Sequence, residues 1–140
     1  MKEQKESREI MAQEKHFENK VKMFLMEHGS WFLKYWGGGH FTKTGVPDLL
    51  VCDNGQFMGI ELKAEKGEPT LLQLKMLESI RKSNGWAVLL YPGDFEEFKQ
   101  WYVHKMQMKE WYLANIKLQE EWIEKLLERG IEDGKEEGNN

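Results

Sequence analysis

Asn54-Gly55 stands between two strand-like runs, PDLLVCD before it and QFMGIELKA after it. Asn-Gly between apolar runs signals a hairpin, because a two-residue turn needs positive φ at both central positions. Such a short loop also sets the register. Asp53 then faces Gln56, and stepping back along both strands brings Asp48 opposite Glu61. Directly opposed side chains share a sheet face, with Cβ atoms roughly 4.5–5.5 Å apart. Lys63 points to that same face by strand alternation, whereas Ile60 and Leu62 point away towards a core. Two carboxylates so placed repel each other and need a cation or a shared proton. Ligation by oxygen alone suits Mg²⁺ or Mn²⁺. The alternative is an edge hairpin whose Asp48 and Glu61 both face water, with Lys63 as counter-charge.

The rest of the chain supplies elements to support that hairpin. Phe17, Val21, Phe24, Leu25 and His28 recur at helical spacing and Gly29 stops the run, which predicts an amphipathic helix. WFLKYW (31–36) is short and aromatic, as strands are, and Gly37-Gly38-Gly39 breaks it. A second helix is predicted from Thr70 to Ser83, with Leu71, Leu74, Leu77 and Ile80 on one face. Asn84-Gly85 ends it, and WAVLLY reads as a buried strand. Helix, three strands, helix, strand implies an α/β fold with a mixed sheet. From Asp94 onward the pattern is helical and rich in aromatics. There Leu113, Ile116, Ile123 and Leu127 are expected to pack on the chain's own domain, a dimer contact being the alternative.

Charge and length bound the function. One hundred and forty residues support one domain. The single Cys52 excludes an internal disulfide framework and fits a reducing compartment. No apolar run approaches the roughly 18 residues of a membrane span, and the polar start MKEQKESREI lacks the apolar core of a secretory signal. The net charge of −4 weighs against nucleic acid until it is mapped along the chain. Residues 120–140 hold eight acids and three bases, a balance of −5, which leaves +1 for the rest. The expected organisation is a polar segment over 1–12, a domain over 13–100, a helical extension over 101–130 and a disordered acidic tail over 131–140.

Gly45-Val46-Pro47-Asp48, then Glu61-Leu62-Lys63, then Gln73 early in a helix closely resemble the motifs of the PD-(D/E)xK nuclease superfamily. Within it, the chain looks most like the virus-type replication-repair nuclease family, VRR-NUC, over residues 14–92. The resemblance implies a restriction-endonuclease-like mixed sheet with an αβββαβ core. It implies Mg²⁺- or Mn²⁺-dependent hydrolysis of DNA, selective for branched substrates in the manner of a Holliday-junction resolvase. A homodimer of phage or prophage type, working in the bacterial cytoplasm and not at a membrane, would follow. Asp48, Glu61 and the backbone carbonyl of Leu62 would hold the metal, and Lys63 would stand near the attacking water. Glu18 matches the family's helix-borne Glu and would ligate the metal through water or hold a second one, with Glu14 one turn earlier as a rival. The alternative is a non-catalytic DNA-binding or scaffold protein that retains the fold.

Gln73 has two readings. Thr70-Leu71-Leu72-Gln73 is a T-x-x-Q capping box, while the resemblance places this side chain near the catalytic Lys63. His40, Lys43 and Thr44, in the loop leading to Asp48, and Lys66 beyond Lys63 are candidate DNA contacts. Solvated surface charge is the plainer account of them. His16, His28 and His104 form no close metal-ligand spacing, and Trp31, Trp36 and Trp86 are expected to pack the core.

Overall fold

The computed structural model describes residues 1–36 and 43–131. His40, Gly37-Gly38-Gly39 and most of the acidic tail lie outside the described residues. Helix α1 (Lys2–His28) precedes strands β1 (Trp31–Lys34), β2 (Leu49–Asp53) and β3 (Gln56–Leu62). Helix α2 (Leu71–Lys82), strand β4 (Trp86–Leu90) and helices α3 (Phe95–Val103) and α4 (Lys109–Glu128) follow. One four-stranded sheet has the order β1-β2-β3-β4. Its first two pairings are antiparallel and β3 with β4 is parallel, so the sheet is mixed.

The hairpin forms as the turn residues require. Asn54 and Gly55 have φ of 53° and 81°, and the ladder runs from Asp53↔Gln56 to Leu49↔Ile60. One face of the sheet packs Leu49, Val51, Ile60 and Leu62 against Phe17, Val21 and Leu25 of α1 and the aromatics of α3. The other face sets Ala87 and Leu89 against Leu71, Leu74 and Leu77 of α2 and Leu126 of α4. Gly29, at φ 81°, ends α1 by donating to the Leu25 and Met26 carbonyls.

Two features add to the sequence reading and a third corrects it. Residues 2–12 continue α1 as an exposed helix. They have no apolar face, but a helix anchored at Phe17–Leu25 propagates cheaply through good helix formers such as Glu, Lys, Gln and Met. Second, the core does not stop near residue 100: Trp101, Tyr102, Tyr112 and Leu126 are buried. Helix α4 is built into the edge of the sheet. Tyr112 Oη and Asn115 Oδ1 accept from the Ala87 and Leu89 N–H groups, at 3.0 and 2.9 Å. Asn115 Nδ2 and Gln119 Nε2 donate to the Leu89 and Ala87 carbonyls, at 2.8 and 3.0 Å. The backbone groups that a fifth strand would pair are therefore satisfied by side chains, which also blunts an aggregation-prone edge. Third, Trp31 and Trp36 are 63% and 69% exposed. β1 is an edge strand, and alternation turns Trp31 and Leu33 away from the face that α1 covers. Trp86 does pack, edge-on to Trp101 and Tyr112. Among the described residues no helix is long and apolar enough to cross a membrane.

Candidate active site

The β2–β3 register, carried one step past Leu49↔Ile60, sets Asp48 opposite Glu61 at the end of the hairpin. The loop before Asp48 is held by close packing. Gly45 adopts φ +85°, and a Cβ there would lie 2.8 Å from Leu72 Cγ. Pro47 lies over Gly59, where a Cβ would come within 3.0 Å of Pro47 Cγ. Gly-x-Pro-Asp thus delivers the Asp48 carboxylate to β3 from beneath the start of α2.

Asp48 Oδ2 accepts the Leu62 backbone N–H at 2.8 Å. By register Leu62 faces Pro47, which has no N–H to give to the Leu62 carbonyl. Leu62 N–H and C=O lie on the same edge of the strand, so that carbonyl is directed to the Asp48 side with no ladder donor from Pro47. Glu61 is 2% exposed. Burial, and next the Asp48 charge within hydrogen-bonding reach, push its pKa well above the usual carboxylate range, and Lys63 only partly offsets them. Lys63 Nζ stands 3.5 Å from Glu61 Oε2. Lys63 lies beside Glu61 and only partly offsets the burial and the facing Asp48 charge, and the oxygen ligands of the pair are of the kind that a hard divalent cation takes. Among the described residues no group of three His, Cys, Asp or Glu side chains converges as a metal site. The fit therefore depends on Asp48, Glu61 and the Leu62 carbonyl, completed by water or substrate oxygens.

Glu18 reaches the same cleft from α1 but is already engaged. It is 6% exposed. Lys34 Nζ donates to its Oε1 at 2.7 Å, while Lys22 and Lys15 stand 2.9 and 3.7 Å from its Oε2. Burial alone would raise the Glu18 pKa; the hydrogen bonds and charges of Lys22 and Lys34 outweigh it and lower the pKa. Lys34 also stands 3.5 Å from Asp48 Oδ1, so one ammonium bridges Glu18 and Asp48. Burial opposes the charge on Lys34, yet its two carboxylate partners raise its pKa. Lys34 was not legible as a site residue, because no turn signal sets β1 against β2 in the way Asn54-Gly55 sets β2 against β3. Glu14 also lines the cleft, without the bridge to Asp48.

The remaining candidates are dispersed. Gln73 forms the capping box: its Oε1 accepts the Thr70 N–H at 2.9 Å, and its own N–H donates to Thr70 Oγ1 at 3.1 Å. Lys43 and Thr44 are exposed, and the Lys43 main chain is docked on the Tyr35 hydroxyl. Lys66 lies in a separate cleft beside Glu6, Glu9 and Gln13 of α1. No family model matches the chain, and no curated protein or solved structure does either.

Proposed function

We propose that the chain is a divalent-metal-dependent endodeoxyribonuclease that hydrolyses phosphodiester bonds, selective for branched DNA, with a restriction-endonuclease-like core. The observation that carries this reading is the buried Glu61 set opposite Asp48, with Lys63 beside Glu61 and Lys34 shared between Asp48 and Glu18. Glu61 stays under strain from burial and from the facing Asp48 despite Lys63, a cost that a bound cation would relieve. The resemblance of GVPD, ELK and the helix that follows to VRR-NUC motifs supports the same chemistry, as does the order of helix and strands.

Asp48, Glu61 and the Leu62 carbonyl would hold Mg²⁺ or Mn²⁺. When bound, the cation supplies Lewis acidity, a bound water of lowered pKa and in-line orientation of the attack. The chain's own groups do the rest. The Leu62 N–H fixes the Asp48 carboxylate on the β3 side. Lys63 presents a cation where negative charge develops on the phosphate, and a preorganised charge of this kind lowers the barrier without reorganisation. Glu18 holds Lys34 against Asp48, which gives it a positioning role. A two-fold homodimer would place two such sites for symmetric cutting across a junction.

The test is cleavage of a four-way junction, a flap, a linear duplex and single strands with Mg²⁺ or Mn²⁺. Wild-type protein is expected to cut branched substrates, while Asp48→Ala and Lys63→Ala fold normally and do not. Variants that cut as well as wild type would remove the assignment. A wild-type chain that binds DNA and cuts nothing would favour the scaffold alternative.

A further inference from the structure

A large exposed aromatic stands at the mouth of the candidate site. Trp86, Trp101 and Trp111 are packed among other rings, but Trp36 is 69% exposed. It lines a cleft of about 380 Å³ together with Asp48, Leu62 and Glu18. Two ammonium groups flank its indole, Lys34 Nζ at 5.5 Å and Lys15 Nζ at 5.8 Å from the ring centroid. Both lie within cation–π range of the ring.

We propose that Trp36 is a stacking platform for an unpaired base, and that unpaired nucleotides beside the scissile phosphate are the feature this chain selects. The proposal rests on the nuclease reading above and names the substrate feature for that same site. An exposed aromatic beside a cation is the combination that binds single strands: the ring takes a base face, and Lys15, the exposed one of the two ammonium groups, is placed to meet the backbone while Lys34 stays on Glu18 and Asp48. Within a duplex both faces of each base are covered by its neighbours. Only an unpaired or terminal base offers a face to Trp36. Flaps, forks with single-stranded arms and frayed strand ends supply such bases, whereas an uninterrupted duplex does not. Trp31 is a built-in comparison. It is 63% exposed, but it pairs with Cys52 at the start of β1, away from Asp48, whereas Trp36 lies just past the strand's end.

The experiment is equilibrium anisotropy with the full chain in EDTA, using a labelled fork with single-stranded arms and a blunt duplex of the same length. Trp36→Ala should weaken fork binding about tenfold, within the range that base–aromatic stacking supplies, and leave duplex binding unchanged. Trp36→Phe should retain most of the fork affinity, and Trp31→Ala all of it. Fork binding by Trp36→Ala equal to wild type, or an equal loss on fork and duplex, would overturn the proposal. The two readings fail separately. A chain that cleaves with metal but shows no Trp36-dependent fork preference refutes the stacking role alone. Trp36-dependent fork binding without cleavage refutes the nuclease reading alone.

Discussion

The Leu62 backbone N–H donates to Asp48 Oδ2 at 2.8 Å, so an acidic side chain occupies the place where the next backbone bond of the hairpin would fall. Pro47 ends the ladder and Asp48 replaces it. The same bond aims the carboxylate at Glu61 and leaves the Leu62 carbonyl beside the pair. The candidate site is thus a hairpin end at which main-chain pairing has been exchanged for ligand groups.

The Glu18–Lys34–Asp48 bridge should be energetically coupled. Lys34→Met leaves Glu18, 6% exposed, with only Lys22 and Lys15 at its other oxygen. A cost of about 2–3 kcal/mol in unfolding free energy is expected, somewhat under the usual cost of breaking a buried pair because these groups keep some solvent contact. Adding Glu18→Gln should return part of that loss, and urea denaturation of the four proteins in the cycle measures the coupling. Purely additive losses would mean that the bridge does not form in solution.

At the other end of the sheet, Asp53 should contribute acid sensitivity. It accepts from Lys105 Nζ at 2.9 Å and from Ser30 Oγ at 2.8 Å. Burial would raise its pKa, but these bonds and the Lys105 charge hold it below the ordinary 3.8. Because the native pKa is the lower one, this stabilisation is present above pH 3.8 and is lost as pH falls through the native value. Asp53→Asn should therefore flatten the loss of stability in that acid range, measured as melting temperature against pH. Near neutral pH, Asp53→Ala should cost about 3 kcal/mol, because Lys105 is left buried without its partner. An acid profile identical to wild type would contradict this.

Helix α4 is predicted to be indispensable to folding. Asn115→Leu removes both the acceptor for the Leu89 N–H and the donor to the Leu89 carbonyl. Each buried group left unpaired costs about 1–3 kcal/mol, so a total of about 2–5 kcal/mol is expected. Removal of residues after 104 should leave an aggregating β4 edge. A soluble, folded product of that truncation would contradict the edge-capping role.

The local turns of the molecule are legible in its sequence, and the contacts between distant elements are not. The Asn54-Gly55 turn carried the hairpin, its register and the meeting of Asp48 with Glu61, because two residues with positive φ leave little freedom. Thr70 and Gln73 announced a capping box for the same local reason. Lys34 was opaque, since its approach to Asp48 depends on how β1 meets β2 across a connection without a defined turn. Asn115 and Gln119 carry no signal in the sequence, because polar residues at helical spacing look alike whether they meet water or the edge of a strand. Trp36 was misplaced because a hydrophobic side chain need not be buried when it sits at the end of an edge strand.

Calorimetric titration of Mn²⁺ near neutral pH reads directly whether Asp48 and Glu61 form a divalent-cation site. Wild-type protein should bind Mn²⁺. Asp48→Asn and Glu61→Gln should lose about 100-fold or more in affinity, since even residues that only orient metal ligands cost about 10–100-fold. Metal-free Glu61→Gln should also be more stable than wild type, because it no longer buries a second carboxylate against Asp48. Equal Mn²⁺ binding by wild type and both variants would mean that Asp48 and Glu61 do not hold the cation.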